Sequence, residues 1–131
     1  MTQMNPLADD SALSDTASPE PQDNGPHPKP LTNDGLQSAA FLAKSLSDGN
    51  RLRILLLLSD GRKSVSALVE RLNLSQPLVS HHLKELKRSL LLKVEREGPF
   101  IYYELADARI LDVVQALSLV ATDLLARRTT F

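Results

Sequence analysis

The segment from Ser75 to Tyr103 constrains the fold more strongly than any other part of this 131-residue chain. It reads SQPLVSHHLKELKRSLLLKVEREGPFIYY. Ser75 is a favourable N-cap, and Pro77 lies in the first helical turn, where its missing N–H costs nothing. Apolar residues then recur at helical spacing until Leu90, after which two alternating segments flank Gly98. The sequence therefore predicts a short capped helix that leads directly into a β-hairpin.

The predicted helix has a narrow apolar stripe and an opposite face that is polar or small. At about 100° per residue the stripe spans about 60° and consists of Val79, Leu83, Leu86 and Leu90. Serine and glutamine can hydrogen-bond base edges, and lysine and arginine can neutralise phosphates. We therefore predict that the capping serine and the polar face contact DNA, through Ser75, Gln76, Pro77, Ser80, His81, Lys84, Lys87 and Arg88. Any solvated amphipathic helix also has a polar face, so this pattern alone does not show that the helix contacts DNA.

The hairpin after this helix supplies a second element that could contact DNA. Residues 92–95 and 100–105 alternate apolar and polar side chains around a Gly-containing turn. Near the tip, Arg96 could enter the minor groove or contact a backbone phosphate, although Glu97 beside it counts against this role. A recognition helix followed by such a wing predicts a mainly α winged helix-turn-helix fold, in the order α-α-α-α-β-β-α.

Three further helices are predicted before the capped helix, over residues 36–47, 48–61 and 64–73. Asp48 and Ser64 are expected N-caps, and Asn73 tolerates the left-handed conformation that a tight turn requires. The second helix is so rich in leucine and isoleucine that we expect most of its circumference to be buried.

A long last helix is predicted to begin after Asp107 as its N-cap. Its apolar residues cover too wide an arc for one internal face, and the surplus predicts a dimer interface.

Composition divides the chain into two parts. Residues 1–35 contain most of the eight prolines and six acidic residues against one lysine, which predicts a disordered acidic tail. Residues 36–131 contain fourteen Lys and Arg against ten Asp and Glu and form the expected DNA-binding and dimerisation domain. The net charge of −1 therefore conceals a mildly basic domain.

Several classes of protein are disfavoured by what the sequence lacks. The chain has no cysteine, which excludes disulfides and thiolate ligands and fits a reducing compartment. It shows no signal-peptide pattern, and its longest apolar run, Ile54 to Leu58, is far too short to span a membrane. No recognisable catalytic set or phosphate-binding loop is present. We therefore expect a cytoplasmic protein that is not an enzyme.

Helices followed by SVSALVERLNLSQPLVSHHLKELKRSLLLKVEREGPFIYYELAD resemble the ArsR/SmtB family of bacterial winged-helix repressors. The resemblance covers about residues 36–128, and its most specific parts are LSQPLVSHHLKEL, EREGPFIYYEL and SDGNRLRILLLL, in which Arg51 matches the arginine that the family typically carries. It implies a homodimer formed through the first and last helices that binds double-stranded DNA at a palindromic operator.

The sequence departs from the family where many relatives bind metal. No thiol occurs around Val65, Ser66 and Ala67, and the last helix offers aspartates but no histidine. Carboxylates alone suit zinc poorly. We therefore expect no cofactor and no thiophilic metal as effector. We interpret His82 as a structural, hydrogen-bonded residue beside Leu86.

Other interpretations stay open at this point. The winged helix could serve as a protein-interaction module, or a partner protein rather than a ligand could control the regulator. His81 could contact DNA or be merely solvated. Arg51 and Arg53 could touch the DNA backbone or pair with nearby acids.

Overall fold

The computed structural model describes residues 29–128. Most of the predicted tail, including His27, lies outside the described residues. The chain divides into two units, Met1–Leu31 and Thr32–Phe131, and every helix and strand described below belongs to the second unit. In chain order these elements are α1 (Asn33–Ser45), α2 (Gly49–Leu57), a 3₁₀ turn (Leu58–Asp60), β1 (Lys63–Ser64), α3 (Val65–Leu72), α4 (Gln76–Arg88), β2 (Leu92–Glu97), β3 (Phe100–Leu105) and α5 (Arg109–Arg127). The predicted order is confirmed with one addition, the short strand β1.

Side-chain caps start the first four helices. Asp48 Oδ1 accepts the backbone N–H groups of Asn50 and Arg51 at 2.9 and 3.1 Å. The hydroxyls of Ser64 and Ser75 each accept one N–H three residues later, at 3.2 and 3.3 Å. All three predicted caps are therefore confirmed. Helix α1 begins earlier than expected, because Thr32 caps it through a 3.0 Å bond from Gly35 N.

The turn between α3 and α4 depends on Asn73. This residue has φ 55° and ψ 43°, in the left-handed region, and its N–H donates to the carbonyl of Val69 at 2.9 Å. The prediction for Asn73 is confirmed. Because of this tight turn, the N-cap of α4 follows closely after the end of α3, and the turn sets the direction of α4 relative to α3.

The core lies between α2, α3, α4 and the start of β2. Its buried apolar residues are Ile54, Leu55, Leu58, Leu68, Leu72, Val79, Leu83, Leu86, Leu91 and Leu92. The expectation that most of the circumference of α2 is buried is wrong, since Leu56 is 65% exposed and Arg53 is exposed. One face of this helix, with Ile54 and Leu55, supplies the packing.

The apolar stripe of α4 ends differently from the prediction. Val79, Leu83 and Leu86 are fully buried, but Leu90 is 74% exposed. The helix ends at Arg88, and Leu90 takes a positive φ of 67°. Its N–H donates to Lys87 O while Leu91 N–H donates to Leu86 O, both at 3.0 Å. This is a Schellman termination with leucine at the position that usually holds glycine. Because the left-handed residue turns the chain away from the helix axis, the Leu91 side chain rather than that of Leu90 is buried in the core.

The wing is a three-stranded antiparallel sheet in the order β1-β3-β2. Strands β2 and β3 pair from Leu92 opposite Leu105 to Glu97 opposite Phe100. Strand β1 places Lys63 opposite Tyr103. As expected, Tyr103 packs against the core and Tyr102 is partly exposed.

The first and last helices contribute little to the core. No residue of α5 is buried, and only Ser45 is buried in α1. The N-cap of the last helix is Ala108, which makes no side-chain cap, rather than the predicted Asp107, although Asp107 Oδ1 accepts the N–H of Arg109 at 2.9 Å. Among the described residues, no helix is long and apolar enough to cross a membrane.

Candidate DNA-binding site

Helix α4 presents its polar face to solvent. The side chains predicted to contact DNA are all exposed on it, namely Gln76, Pro77, Ser80, His81, Lys84, Lys87 and Arg88, and the capping Ser75 is exposed as well. The opposite side of the same helix is anchored by three fully buried side chains, Val79, Leu83 and Leu86. A rigid helix therefore carries hydrogen-bonding groups at its N-terminal turns and cations towards its C-terminus.

Two members of this face already have partners in the chain. The Ser75 hydroxyl accepts the N–H of Leu78, so its first role is capping. Arg88 Nη1 lies 3.3 Å from Glu85 Oε1, so the guanidinium forms an ion pair with a carboxylate one turn earlier in the same helix. In the described part of the chain, no such ion pair engages Lys84 or Lys87, which leaves their ammonium groups available to phosphates.

The two adjacent histidines of α4 have different environments. His81 is exposed, whereas His82 is only 6% exposed. Their rings lie 5.8 Å apart and are tilted by 56°. The burial predicted for His82 is confirmed, but the expected hydrogen bond is absent among the described residues. Its Nδ1 is buried without a partner, and its Nε2 lies 3.9 Å from Asp48 Oδ1, too far for a hydrogen bond.

The wing separates its charges between two faces. In the β2–β3 register, Arg96 lies opposite Ile101, while Glu95 and Glu97 lie opposite Tyr102 and Phe100. Because side chains alternate along a strand, Arg96 points to the other face from both glutamates. The proximity of Glu97 in sequence is therefore a weaker objection to a DNA contact by Arg96 than the sequence suggested.

Arg62, which the sequence analysis did not single out, holds the two wing carboxylates. Its Nη1 lies 3.0 Å from Glu95 Oε2, and its Nη2 lies 2.5 Å from Glu97 Oε2. The guanidinium carbon stands 4.3 Å above the centre of the Tyr102 ring. The hydrogen bond that Arg62 donates to Glu97 is the main cause that raises the pKa of Arg62. This residue therefore offsets negative charge on one face of the wing.

The two arginines of α2 are placed differently. Arg53 is exposed and its Nη1 donates to Asn50 Oδ1 at 3.3 Å, so it pairs with an amide rather than with an acid. Arg51 is half-buried, and its backbone N–H is the main cause that lowers the pKa of Asp48. Arg51 also lines a cavity together with residues of α1 and α4.

The acids that were weighed as metal ligands do not form a ligand set in the described residues. No group of three or more His, Cys, Asp or Glu side chains converges there. Asp107 instead pairs with Arg109, whose Nη2 lies 2.8 Å from Asp107 Oδ2. The Arg109 side-chain hydrogen bonds lower the pKa of Asp107 to about 2.

Comparison with known proteins identifies the fold and its family. The family model described as "Bacterial regulatory protein, arsR family" matches residues 48–93, which include the α2, α3 and α4 helices. The arsenical resistance operon repressor of Staphylococcus aureus is 38% identical over 81 residues, which cover 62% of this chain and 78% of that protein.

Solved structures agree with this match. HlyU from Vibrio cholerae superposes with a TM-score of 0.62 at 30% identity and covers 68% of this chain and 97% of its own. The homodimeric winged helix-turn-helix DNA-binding domain of a possible ArsR-family regulator from Mycobacterium bovis gives a TM-score of 0.62 at 27% identity, over 76% of this chain and 92% of its own. The winged helix-turn-helix fold is therefore confirmed. Proteins of this family regulate transcription and are not enzymes, as the sequence predicted. The chain belongs to the ArsR family of bacterial regulatory proteins, which are DNA-binding transcription regulators.

Proposed function

We propose that this protein is a transcriptional repressor that binds an inverted-repeat operator as a homodimer. The observation that carries the proposal is the two-sided character of α4. Its apolar side is locked into the core, and its exposed side offers Gln76, Ser80 and His81 ahead of Lys84 and Lys87. Such a helix can insert its N-terminal turns into a major groove while its cations meet the flanking phosphates.

The dimer is proposed from the apolar surface of α1 and α5. Residues that are 38–57% exposed on these helices include Leu36, Phe41, Leu42, Val113, Leu117, Val120 and Leu124. Monomeric proteins rarely expose a contiguous apolar surface of this kind. The similar M. bovis domain is homodimeric in solution. Two copies of α4 in a symmetric dimer would contact half-sites about one helical turn apart.

Within this proposal, Ser80 and His81 contribute base readout, and Lys84, Lys87 and Arg88 contact phosphates. Arg96 of the wing contacts DNA beside the major groove. The chain has no cysteine, and residues 109–127 contain no histidine, which supports an effector other than a thiophilic metal.

Selection of bound fragments from a genomic library, followed by gel-shift titration against random duplex, tests the proposal. We expect a short inverted repeat that is bound at least about a thousandfold more tightly than random sequence at near-physiological salt. Only weak binding that disappears as salt rises would contradict a specific regulator and favour a protein-interaction role. Sedimentation of the protein–DNA complex gives the number of protomers per site.

A further inference from the structure

A charged cavity lies between α1, α2 and α4, beside the polar face of α4, with which it shares His81 and Arg88. It has a volume of about 580 Å³, and the charged or ionisable residues that line it are Lys44, Arg51, His81, Glu85 and Arg88. Three of these side chains are permanently cationic, and one is a carboxylate. The cavity therefore differs from the one between α1 and α5, which is lined mainly by apolar residues such as Leu42, Ile110 and Leu117.

The negative groups near the cavity are already engaged. Glu85 Oε1 lies 3.3 Å from Arg88 Nη1, so the carboxylate of the lining is neutralised within α4. Asp48, outside the lining, keeps its negative charge near Arg51 while its Oδ1 accepts two backbone N–H groups at the start of α2. With Glu85 and Asp48 counted against Lys44, Arg51 and Arg88, one net positive charge remains at the cavity.

Arg51 also has an unmet hydrogen-bonding requirement. Its Nε is buried and donates to no acceptor among the described residues. Buried donors in folded proteins nearly always have a partner, so an isolated one calls for an explanation. Nε itself has almost no accessible surface, so an acceptor from outside the chain would reach the guanidinium through its two terminal nitrogens, which are not among the buried unpartnered atoms.

We propose that this cavity binds a phosphate group, with Arg51 and Lys44 as its main donors. A guanidinium matches phosphate oxygens through parallel N–H donors, and a lysine adds a compact positive charge. The phosphate belongs either to the DNA backbone or to a free phosphorylated molecule. Since His81 and Arg88 line the cavity and also lie on the proposed DNA-contacting face, a free phosphate there would compete with DNA. This coupling and the assignment to backbone phosphate rest on the proposed function, whereas the binding of a free phosphate does not.

Arg51→Gln in the full chain is the test variant, because it removes the charge and keeps a polar side chain. Arg53→Gln is the matched control, because it removes the same charge two residues further along α2. Arg53 is exposed and does not line the cavity. Lys44→Gln, at an exposed position of α1, decides the outcome if Arg51→Gln fails to fold in chloride buffer.

The first arm uses inorganic phosphate without DNA. Potassium phosphate should raise the unfolding temperature of the wild type above that in potassium chloride of equal ionic strength, because a ligand of the native state stabilises it. Arg51→Gln should lose this difference and Arg53→Gln should keep it. This arm is independent of whether the protein recognises an operator.

The second arm measures operator affinity as a function of salt in phosphate-free buffer. Arg51→Gln should weaken binding about fivefold, the effect of about 1 kcal/mol from one charge pair at a water-like dielectric constant, and reduce the salt slope by about one. A response in this arm alone assigns the cavity to backbone phosphate, and a response in the first arm alone assigns it to a free phosphate. If Arg51→Gln and Lys44→Gln match Arg53→Gln in both arms, the cavity is not a phosphate site. If the wild type binds no operator, the proposed function fails and the first arm alone decides.

Discussion

Replacing Leu117 by Ala should weaken the proposed dimer about thirtyfold. Val113, Leu117, Val120 and Leu124 recur at helical spacing, and at about 100° per residue they fall within about 60° on one face of α5. Leu117 lines one cavity together with Leu42 of α1, which places the two helices on a common surface. Leu117 is 50% exposed.

The magnitude follows from this half exposure. Full burial of a leucine side chain is worth about 1.5–3 kcal/mol, so burial of the remaining half contributes about 1 kcal/mol per protomer. A symmetric interface contains two copies, which gives about 2 kcal/mol per dimer. At about 1.4 kcal/mol per tenfold, this corresponds to a dissociation constant about thirtyfold higher.

Sedimentation velocity over a dilution series measures the effect, with Leu119→Ala as the control. Leu119 is 61% exposed on the same helix, but it lies about 200° around the axis from Leu117 and borders another cavity, with Leu56. We expect Leu119→Ala to dimerise as the wild type does. Equal self-association of the two variants, or a wild type that stays monomeric at micromolar concentration, would refute the argument from α5.

Three further predictions follow from other parts of the chain. Arg62→Ala should weaken operator binding in a gel shift, because Glu95 and Glu97 lose their counter-ion, and adding Glu97→Gln should restore part of the affinity; no rescue would mean that Arg62 acts only through wing stability. Leu90→Gly should raise the free energy of unfolding by up to about 1 kcal/mol in a thermal melt, since glycine accepts the positive φ that leucine does not, and a lower melting temperature would show that the Leu90 side chain packs usefully. Deletion of residues 1–30 should leave the circular dichroism and the melting temperature unchanged, whereas a large drop in melting temperature would show that this segment supports the fold.

Local signals predicted most of the architecture from the sequence. The caps at Asp48, Ser64 and Ser75 and the left-handed turn at Asn73 depend on residues within a few positions of one another, so they are visible in the chain itself. The order of helices and strands follows from the hydrophobic period, which changes sharply after the recognition helix.

The predictions of burial were wrong where the helical hydrophobic period was extended past the end of a helix, or where it was used without knowing which face of the helix reaches the core. Leu90 continues the stripe of α4 only if the helix does, and the Schellman termination after Arg88 transfers the buried position to Leu91. Leu56 belongs to a dense apolar run, yet geometry allows only one face of α2 to reach the core. Strand β1 has two residues, too few for any periodic signal.

The candidate site was only partly visible for a related reason. The polar face of α4 could be identified because its residues share one helix. Arg62 binds a carboxylate 35 positions away, and Lys44 meets Arg51 and Arg88 only through the packing of three helices. Contacts between residues so far apart in sequence are set by tertiary structure, and a single sequence carries no signal for them.

The central claim is that the exposed face of α4 selects the DNA sequence. The most direct measurement is the ratio of operator affinity to random-duplex affinity for Ser80→Ala and His81→Ala, with Ser118→Ala, exposed on α5, as the control. Each α4 variant should lose about 1–3 kcal/mol of operator binding while binding random duplex nearly as the wild type does, so the ratio falls. If both variants keep the wild-type ratio, α4 does not read the operator and the account is wrong.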